Sequence, residues 1–265
     1  MKSLKGKGIL ITGASSGIGR QLAIECAKLN PDILILTARR LEKLKEIENS
    51  FPQLKIISIK SDLSKVEGIN DFIKQLEPYK YLITHIFNNA GFGWYGFFNS
   101  MDDEKIIEMV NLNILSLTKI TRYFLDDDLR KKVDKQLHIF NIGSIASFFP
   151  IQGIAMYSAT KSYVEKFTKS LHSEYAKDKK VFITLVLPGA VKTEFFDVAQ
   201  NSNGAQKINL NLFELNLEKA VSYLIKGIFK KKKIIYIPSI MRITPFIGSV
   251  FGKIIRSLGP ILLKK

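Results

Sequence analysis

Short apolar runs rich in Ile, Leu and Val alternate with longer segments of helical periodicity through this chain of 265 residues. The apolar runs predict seven buried strands, over residues 8–12, 32–38, 55–59, 82–87, 137–142, 181–187 and 233–237. Helical patterns lie between them, near residues 18–29, 41–50, 65–77, 102–124, 157–176 and 216–231. Such alternation favours βαβ units. No linker or repeat is visible, so we expect a single α/β domain over residues 1–265, built on a doubly wound parallel sheet of about seven strands with helices on both faces.

The composition is that of a globular protein, with 46% hydrophobic and 24% charged residues, which argues against disorder. The formal net charge of +16 at pH 7 favours acidic partners such as anionic lipid, nucleic acid or an acidic carrier protein. A Lys-, Ile- and Asn-rich composition of the kind an AT-rich genome produces would carry the same excess. No basic groove pattern with interleaved aromatic residues accompanies the charge, so we expect no nucleic-acid partner.

Cys26 is the single cysteine of the chain and cannot form an internal disulfide. Its place in a helical pattern predicts a core residue rather than a nucleophile. Only the run ILIT precedes Gly13, which is too short for the apolar region of a signal peptide, so we expect the start of the chain to belong to the fold. No stretch holds 18 uncharged apolar residues, so we expect no membrane-spanning helix. These features predict a cytoplasmic protein, and no metal site is expected.

A glycine-rich turn, TGASSGIGR, follows the first predicted strand and opens the first predicted helix. Gly13, Gly17 and Gly19 would let a pyrophosphate approach the backbone, and the N–H groups at the helix N-terminus would face the anion. Glycines also serve ordinary tight turns. The position at the end of the first strand nevertheless favours a nucleotide-binding site.

The second predicted strand ends in LTARR, where Ala38, Arg39 and Arg40 stand in place of an acidic residue. A carboxylate there would bind the ribose 2′-OH of NADH, whereas Arg39 would contact the 2′-phosphate of NADPH. We therefore predict NADPH rather than NADH as the cofactor. The alternative is a solvated arginine at the start of a helix.

Polar residues also follow the third and fourth predicted strands. Asp62 would accept a hydrogen bond from the adenine amino group. Alternatively, Asp62 or Ser64 would cap the helix that starts near Lys65. Asn88, Asn89 and Gly91, in FNNAG, lie where parallel strands expose their carboxyl ends and ligand crevices form. A simple turn would use the same residue types.

Tyr157 and Lys161, in YSATK, are four residues apart and share one face of a predicted helix. A nearby ammonium favours the phenolate, so Lys161 is expected to lower the pKa of the tyrosine from its usual value near 10. Ser144 lies thirteen residues before Tyr157, where its hydroxyl would hold a substrate oxygen. Asn113 falls among apolar residues of a predicted helix. It would kink the helix or bind a water that reaches Lys161, or it is a satisfied buried amide.

The ordered set TGASSGIG, NNAG, Asn113, Ser144, YSATK and PGAVKT (188–193) resembles the short-chain dehydrogenase/reductase family over about residues 5–200. The resemblance implies a Rossmann-type NAD(P)-binding fold and a catalytic tetrad of Asn113, Ser144, Tyr157 and Lys161. The cofactor-binding residues that it implies, together with Arg39, are Thr12, Gly13, Ser15, Ser16, Gly17, Ile18, Gly19, Asp62, Leu63, Asn89, Ala90, Gly91, Tyr157, Lys161, Pro188, Gly189, Val191 and Thr193.

The resemblance also implies a mechanism, hydride transfer between the nicotinamide and a carbonyl carbon. Tyr157 would act as general acid or base, and Ser144 would stabilise the developing charge on oxygen. Lys161 would lower the tyrosine pKa and grip the nicotinamide ribose. Asn113 would hold a proton-relay water.

The C-terminal residues 238–265 form an amphipathic extension, similar to that of a single-domain branch of the family. Its apolar stripe consists of Ile243, Phe246, Ile247, Val250, Phe251, Ile254, Ile255 and Leu258. The stripe would cover the substrate cleft or a homodimer interface, lie on a membrane surface with the help of basic residues, or complete the core. We expect a homodimer, and peripheral membrane contact is the second interpretation.

The loops after the strands are rich in aromatic residues, which predicts an apolar substrate such as a lipid-like or aromatic ketone or alcohol. These residues are Phe92, Trp94, Tyr95, Phe97, Phe98, Phe148, Phe149, Phe195 and Phe196. We therefore predict an NADP(H)-dependent oxidoreductase of a hydrophobic ketone, aldehyde or alcohol. The alternatives are a 3-oxoacyl reductase acting on a carrier protein or CoA, and a non-catalytic NADPH-binding sensor or scaffold.

Overall fold

A parallel sheet forms the centre of the molecule in the computed structural model, which describes residues 3–132, 135–200, 205 and 215–248. Within these residues the strands are β1 (Gly8–Thr12), β2 (Ile33–Ala38), β3 (Ile56–Lys60), β4 (His85–Asn88), β5 (Leu137–Ile142), β6 (Val181–Pro188) and β7 (Ile234–Ile237). They pair in the order β3-β2-β1-β4-β5-β6-β7. The strand order reverses at β1, between β2 and β4, and such a switch point opens a crevice at the carboxyl ends of the strands.

The helices connect successive strands. They are α1 (Gly17–Lys28), α2 (Leu41–Ser50), α3 (Val66–Leu76), α4 (Asp103–Val110), α5 (Leu117–Phe124), α6 (Asp127–Lys131), α7 (Ala155–Glu174), α8 (Glu194–Gln200) and α9 (Leu217–Phe229). A π-helical segment, Asn111–Ser116, joins α4 to α5. Short 3-10 turns cover Glu77–Tyr79, Phe98–Ser100, Ile145–Phe148 and Ser239–Ile243.

The two faces of the sheet carry separate apolar clusters, because successive side chains of a strand point to opposite sides. Ile9 and Ile11 of β1 pack in the cluster that includes residues of α1 and α9, with Cys26 fully buried among them. Leu10 packs on the other face with residues of α3, α5 and α7, such as Phe72. Helices on both faces confirm the predicted doubly wound, Rossmann-type α/β fold.

Two predicted elements differ from the structure. The fourth strand begins at His85 rather than at residue 82, and Leu82 is 43% exposed. The helix predicted over residues 102–124 is divided into α4, the π-helical segment and α5. Periodicity in apolar residues does not register the extra residue that widens a turn into a π-helix.

The predicted C-terminal stripe lies only partly within the described chain. Residues 239–243 form a 3-10 turn and residues 244–248 continue as a helix. Ile240, Ile243 and Phe246 are 69%, 50% and 61% exposed. The later members of the stripe, from Val250 to Leu258, lie outside the described residues.

Candidate active site

The glycine-rich turn leads from β1 into α1 with two residues in the left-handed region, Gly13 at φ +68° and Gly17 at φ +51°. A Cβ on Gly19 would lie 2.3 Å from the Gly13 carbonyl oxygen, so only glycine allows this close turn. Ser16 is the N-cap residue of α1 but makes no side-chain capping hydrogen bond. The Ser16 side chain therefore does not occupy the N–H groups of the first turn of α1, and an anion-binding turn needs these groups as donors.

A cavity of about 650 Å³ extends from this turn along the carboxyl ends of the strands, a volume within the usual range for small-molecule sites. Its wall contains nearly every site residue predicted from the sequence. These are Gly13, Ser15, Ser16, Gly17, Ile18, Gly19, Arg39, Asp62, Leu63, Asn89, Ala90, Gly91, Ser144, Tyr157, Lys161, Pro188, Gly189, Val191 and Thr193.

Two predicted residues, Thr12 and Asn113, lie behind the cavity wall. The Thr12 hydroxyl donates to the Phe87 carbonyl at 3.3 Å and accepts from the N–H groups of Asn89 and Ala90 at 3.0 and 2.9 Å. Thr12, which the family resemblance implied as a cofactor-binding residue, therefore connects the end of β1 to the end of β4. Thr12 is 2% exposed and does not border the cavity, whose wall begins at Gly13.

Asn89 supports the glycine-rich turn from beneath. Its side-chain Nδ2 donates to the carbonyl oxygens of Thr12 and Gly13 at 2.9 and 3.3 Å. The family resemblance implied that Asn89 binds the cofactor. Its amide instead holds the turn, while other atoms of Asn89 border the cavity.

The end of the cavity beyond β2 and β3 carries charged groups. Arg39 is exposed, and the Asp62 carboxylate accepts hydrogen bonds from the Ser64 N–H and hydroxyl at 3.1 and 2.7 Å. Burial raises the pKa of Asp62, but the bonds from Ser64 and the charges of Arg39 and Lys65 outweigh it and lower the pKa below its ordinary value. Asp62 thus closes the turn before α3 and also borders the cavity.

The opposite end of the cavity contains Ser144, Tyr157 and Lys161. Tyr157 lies in the first turn of α7 and is 9% exposed. Burial raises its pKa to about 12, and the hydrogen bond with the Ser144 hydroxyl opposes this rise. The Ser144 oxygen also accepts from the Ala146 N–H at 3.1 Å, which fixes it at the start of the 3-10 turn.

Lys161 lies one helical turn after Tyr157 and is 5% exposed. Its Nζ donates to the Ile142 carbonyl at 2.9 Å and lies 5.8 Å from the centre of the Tyr157 ring. Burial lowers its pKa to about 8. The expected lowering of the tyrosine pKa by Lys161 is therefore not seen in the structure, because loss of hydration dominates both groups and the ammonium is directed to the β5 carbonyl.

Asn113 lies in the π-helical segment and is 1% exposed. Its Oδ1 accepts from the Phe92 N–H, and its Nδ2 donates to the Phe92 carbonyl and to the Thr160 hydroxyl, each at 3.0 Å. A Cβ on Gly91 would lie 3.0 Å from Asn113 Oδ1 and 3.4 Å from Lys161 Nζ. The amide is thus satisfied within the protein and lies close to the lysine.

The cavity wall near Tyr157 is apolar. The Phe195 ring lies 5.4 Å from the Tyr157 ring, and Phe92, Tyr95 and Phe149 also border the cavity. The other predicted aromatic residues are not in this wall. Trp94 packs in the core beside Tyr157, and Phe148 packs against a separate apolar cluster. Phe97 is half-buried, Phe98 is exposed, and the side chain of Phe196 lies outside the described part.

Sequence reasoning missed two groups at the site. The Thr160 hydroxyl accepts a hydrogen bond from the Asn113 side-chain amide and donates one to the Tyr157 carbonyl at 2.8 Å. Its position within YSATK, between Tyr157 and Lys161, could have indicated that Thr160 belongs to the site. Glu194 forms an ion pair with Arg40 at 2.9 Å, and no local pattern joins two residues so far apart in the chain.

Among the described residues, no helix is both long and apolar enough to cross a bilayer. The same part of the chain contains no group of three His, Cys, Asp or Glu side chains that could hold a metal ion.

Comparison with known proteins identifies the family. A family model described as short chain dehydrogenase matches residues 7–204. The chain is 35% identical to the NADP-dependent 3-hydroxy acid dehydrogenase of Schizosaccharomyces pombe, over 74% of this chain and 75% of that protein. It is 34% identical to the very-long-chain 3-oxoacyl-CoA reductase of Rattus norvegicus, over 71% of this chain but only 61% of the relative.

Solved structures share the same fold. A short-chain dehydrogenase from Sphingobium yanoikuyae in complex with NADPH superposes with a TM-score of 0.80 at 24% identity, covering 94% of each chain. At this identity the likeness concerns the fold. The match to the family model and the sequence identities show the family as well: the chain belongs to the short-chain dehydrogenase family of oxidoreductases.

Proposed function

We propose that the protein is an NADP(H)-dependent oxidoreductase that interconverts a hydrophobic ketone or aldehyde and the corresponding alcohol. The observation that carries the proposal is the joint position of Ser144, Tyr157 and Lys161 in one cavity whose other end is the glycine-rich turn. A proton donor and a dinucleotide-binding turn in the same cavity are the two parts that hydride-transfer chemistry needs.

The residues present are suited to a nicotinamide dinucleotide. The glycine-rich turn and the N-terminus of α1 would hold the pyrophosphate, and the buried Lys161 ammonium would bond to the nicotinamide ribose. Arg39 and Arg40 border the adenosine end, and Ala38 stands at the end of β2 in place of an acidic residue that would bind a ribose 2′-OH. This favours a 2′-phosphate. The cofactor named for the yeast relative, NADP, supports the same choice. The bound nicotinamide supplies or accepts the hydride.

Tyr157 would transfer the proton. With its pKa raised to about 12 by burial, opposed by Ser144, it is protonated at neutral pH and suited to donate to a forming alkoxide. Ser144 would donate a hydrogen bond to the substrate oxygen beside it, which stabilises the charge that develops there. Asn113 would act from behind the wall by fixing the backbone at Phe92 and the position of Thr160.

The substrate class follows from the walls near Tyr157. Phe92, Phe149 and Phe195 border the cavity, and large apolar surfaces bind apolar substrates. A second candidate is a 3-oxoacyl thioester. The rat relative is named for a very-long-chain 3-oxoacyl-CoA, and the net charge of +16 suits the phosphates of CoA or an acidic carrier protein.

The experiment is a substrate panel followed by NADPH absorbance, with bulky apolar ketones, aldehydes and alcohols in one arm and 3-oxoacyl-CoA esters of increasing length in the other. We expect turnover in the first arm with NADP(H) and much weaker turnover with NAD(H). Selective turnover of the CoA esters would replace the first candidate by the second. Tight NADPH binding without turnover of any compound would support the non-catalytic alternative.

Peripheral membrane contact is proposed for the start of the C-terminal extension. Ile240, Ile243 and Phe246 recur at intervals of three residues and are all at least half exposed, while Arg242 lies between them. Apolar side chains beside basic residues are typical of surfaces that lie on anionic lipid. The homodimer and the cytoplasmic location stay predictions.

A further inference from the structure

Thr193, which precedes α8, and the first two residues of α8, Glu194 and Phe195, form a strap across the cavity. The Thr193 side chain lies 3.4 Å from the position that a Cβ would take on Gly17, in the glycine-rich turn. Phe195 packs against the Tyr157 ring at 5.4 Å. The strap therefore touches the cofactor turn at one end and the proposed proton donor at the other.

Glu194, between these two contacts, is held by Arg40. The Arg40 Nη2 lies 2.9 Å from a Glu194 carboxylate oxygen and 3.5 Å from the Ser15 hydroxyl. The two side chains are 43% and 58% exposed, and all three residues border the cavity. A carboxylate of the strap thus lies at the rim where β2 ends and the glycine-rich turn begins.

The Arg40 guanidinium is also suited to bind a phosphate. Its planar set of N–H donors binds carboxylates and phosphates with the same geometry, and a phosphate carries the larger charge. Ser15 adds a hydroxyl donor at the same point. A phosphate there would lie next to the Glu194 carboxylate, and two anions that share one guanidinium repel each other.

We propose that Glu194 is an internal competitor for the 2′-phosphate site, so that a cofactor with a 2′-phosphate must displace it from Arg40. The inference rests on the proposed function in taking NADPH as the cofactor. Displacement frees the strap at its centre, next to the Phe195 ring that packs against Tyr157. Cofactor binding and access to the proton donor are then coupled through one ion pair.

The test is a fluorescence titration of the full chain with NADPH and, separately, with NADH at low salt. Glu194→Gln should tighten NADPH by about two- to fivefold, the range expected for an exposed ion pair, and leave NADH unchanged. Glu46→Gln is the matched control, because Glu46 is a similarly exposed carboxylate that pairs with Arg20 and Lys43 outside the cavity wall. It should not change the ratio of the two dissociation constants.

A double-mutant cycle on Arg40 and Glu194 measures how much their ion pair affects the binding of NADPH. In an Arg40→Gln background, which should weaken NADPH selectively, Glu194→Gln should give no further gain. The gain should also shrink at high salt, because exposed charges are screened. Suppose that the unchanged protein binds NADPH more tightly than NADH. If Glu194→Gln then tightens the binding of both cofactors equally, or does not tighten the binding of NADPH, the competitor role is wrong and the NADPH assignment stands. Equal affinity of the unchanged protein for both cofactors would overturn both.

Discussion

Tyr157 and Lys161 are each buried in the same cavity, and burial acts on them in opposite directions. It raises the pKa of the tyrosine to about 12 and lowers the pKa of the lysine to about 8. Both shifts favour the neutral form, because a charge loses hydration when it is buried. A lysine kept at this position costs stability, which is consistent with a role in function rather than in folding.

The first prediction concerns that cost. Because the pKa of Lys161 in the folded protein lies below its unfolded value near 10.5, the unfolded chain binds the proton more tightly. The loss of folding stability caused by burying the ammonium is therefore fully present at pH 7. It is relieved as pH rises from about 8 to about 10.5. Lys161→Met should therefore raise the free energy of unfolding at pH 7 by about 1–3 kcal/mol. This advantage should shrink near pH 10 in urea denaturation.

Lys166→Met is the control on the same helix, since Lys166 is exposed and its replacement should change stability by less than about 0.5 kcal/mol at either pH. A Lys161→Met protein that is less stable than the unchanged chain at pH 7 would contradict the burial argument. So would an advantage that is the same at both pH values.

The position of a residue at the cavity could be predicted where residues close together in the sequence share a turn or a helix face, while the chemical roles of these residues stay predictions. Gly13, Gly17, Tyr157 and Lys161 were found because spacing along a turn or a helix brings them to one surface. The direction of the tyrosine pKa shift was predicted wrongly, since sequence spacing does not reveal burial. The contact between Arg40 and Glu194 could not be predicted either, because it depends on tertiary structure.

At the scale of elements, the helix between β4 and β5 is the main departure from the predicted pattern. It widens into a π-helical turn at Asn111–Ser116, and this turn presents Asn113 toward α7. Single-turn π-helices inside α-helices are frequent at functional sites. Asn111 lies in the same turn but bonds in another direction, through its Nδ2 to the Ser64 carbonyl at 2.9 Å.

This pair of asparagines separates function from stability. Asn113→Ala leaves the backbone N–H and carbonyl of Phe92 without their partner, which should cost about 1–3 kcal/mol. It should also lower turnover about 100-fold, as a misplacement of about 1 Å can. Asn111→Ala removes one hydrogen bond and should cost less stability, about 0.5–1.5 kcal/mol, while turnover stays near that of the unchanged protein. Equal losses of turnover would contradict the positioning role of Asn113.

At the scale of the whole molecule, the order of elements along the chain was sufficient to predict the sheet and its two helical layers. Connections between parallel strands are right-handed and short, so few arrangements were available. The surface is less predictable. An excess positive charge and an apolar stripe are compatible with binding to lipid, to an acidic partner or to a second subunit. Only its exposure in the structure distinguishes a residue such as Ile240 from a core residue.

The membrane proposal gives a direct prediction. The full chain should float with vesicles that contain anionic phosphatidylglycerol and much less with neutral phosphatidylcholine, and the binding should weaken with salt. Replacing Ile240, Ile243 and Phe246 together by Ser should abolish flotation, because each buried apolar side chain contributes about 1.5–3 kcal/mol when fully inserted.

The control for this experiment replaces three exposed apolar residues elsewhere, Val66, Tyr81 and Leu82, by Ser. Flotation should then persist. If both triple variants float as the unchanged protein does, the binding is purely electrostatic and the apolar contact is wrong. If the unchanged protein does not float, there is no membrane contact of this kind.

The most direct test of the proposed chemistry compares two tyrosines of α7. Tyr157→Phe removes the proton donor, whereas Tyr163→Phe removes a hydroxyl that lies 3.0 Å from the Thr118 hydroxyl near the surface. Turnover of the best substrate from the panel and the dissociation constant for NADPH are measured for both variants. We expect Tyr157→Phe to lose about 10²- to 10⁴-fold in turnover with NADPH affinity within about twofold, and Tyr163→Phe to keep both. Near-normal turnover by Tyr157→Phe would contradict the assignment of Tyr157 as the general acid.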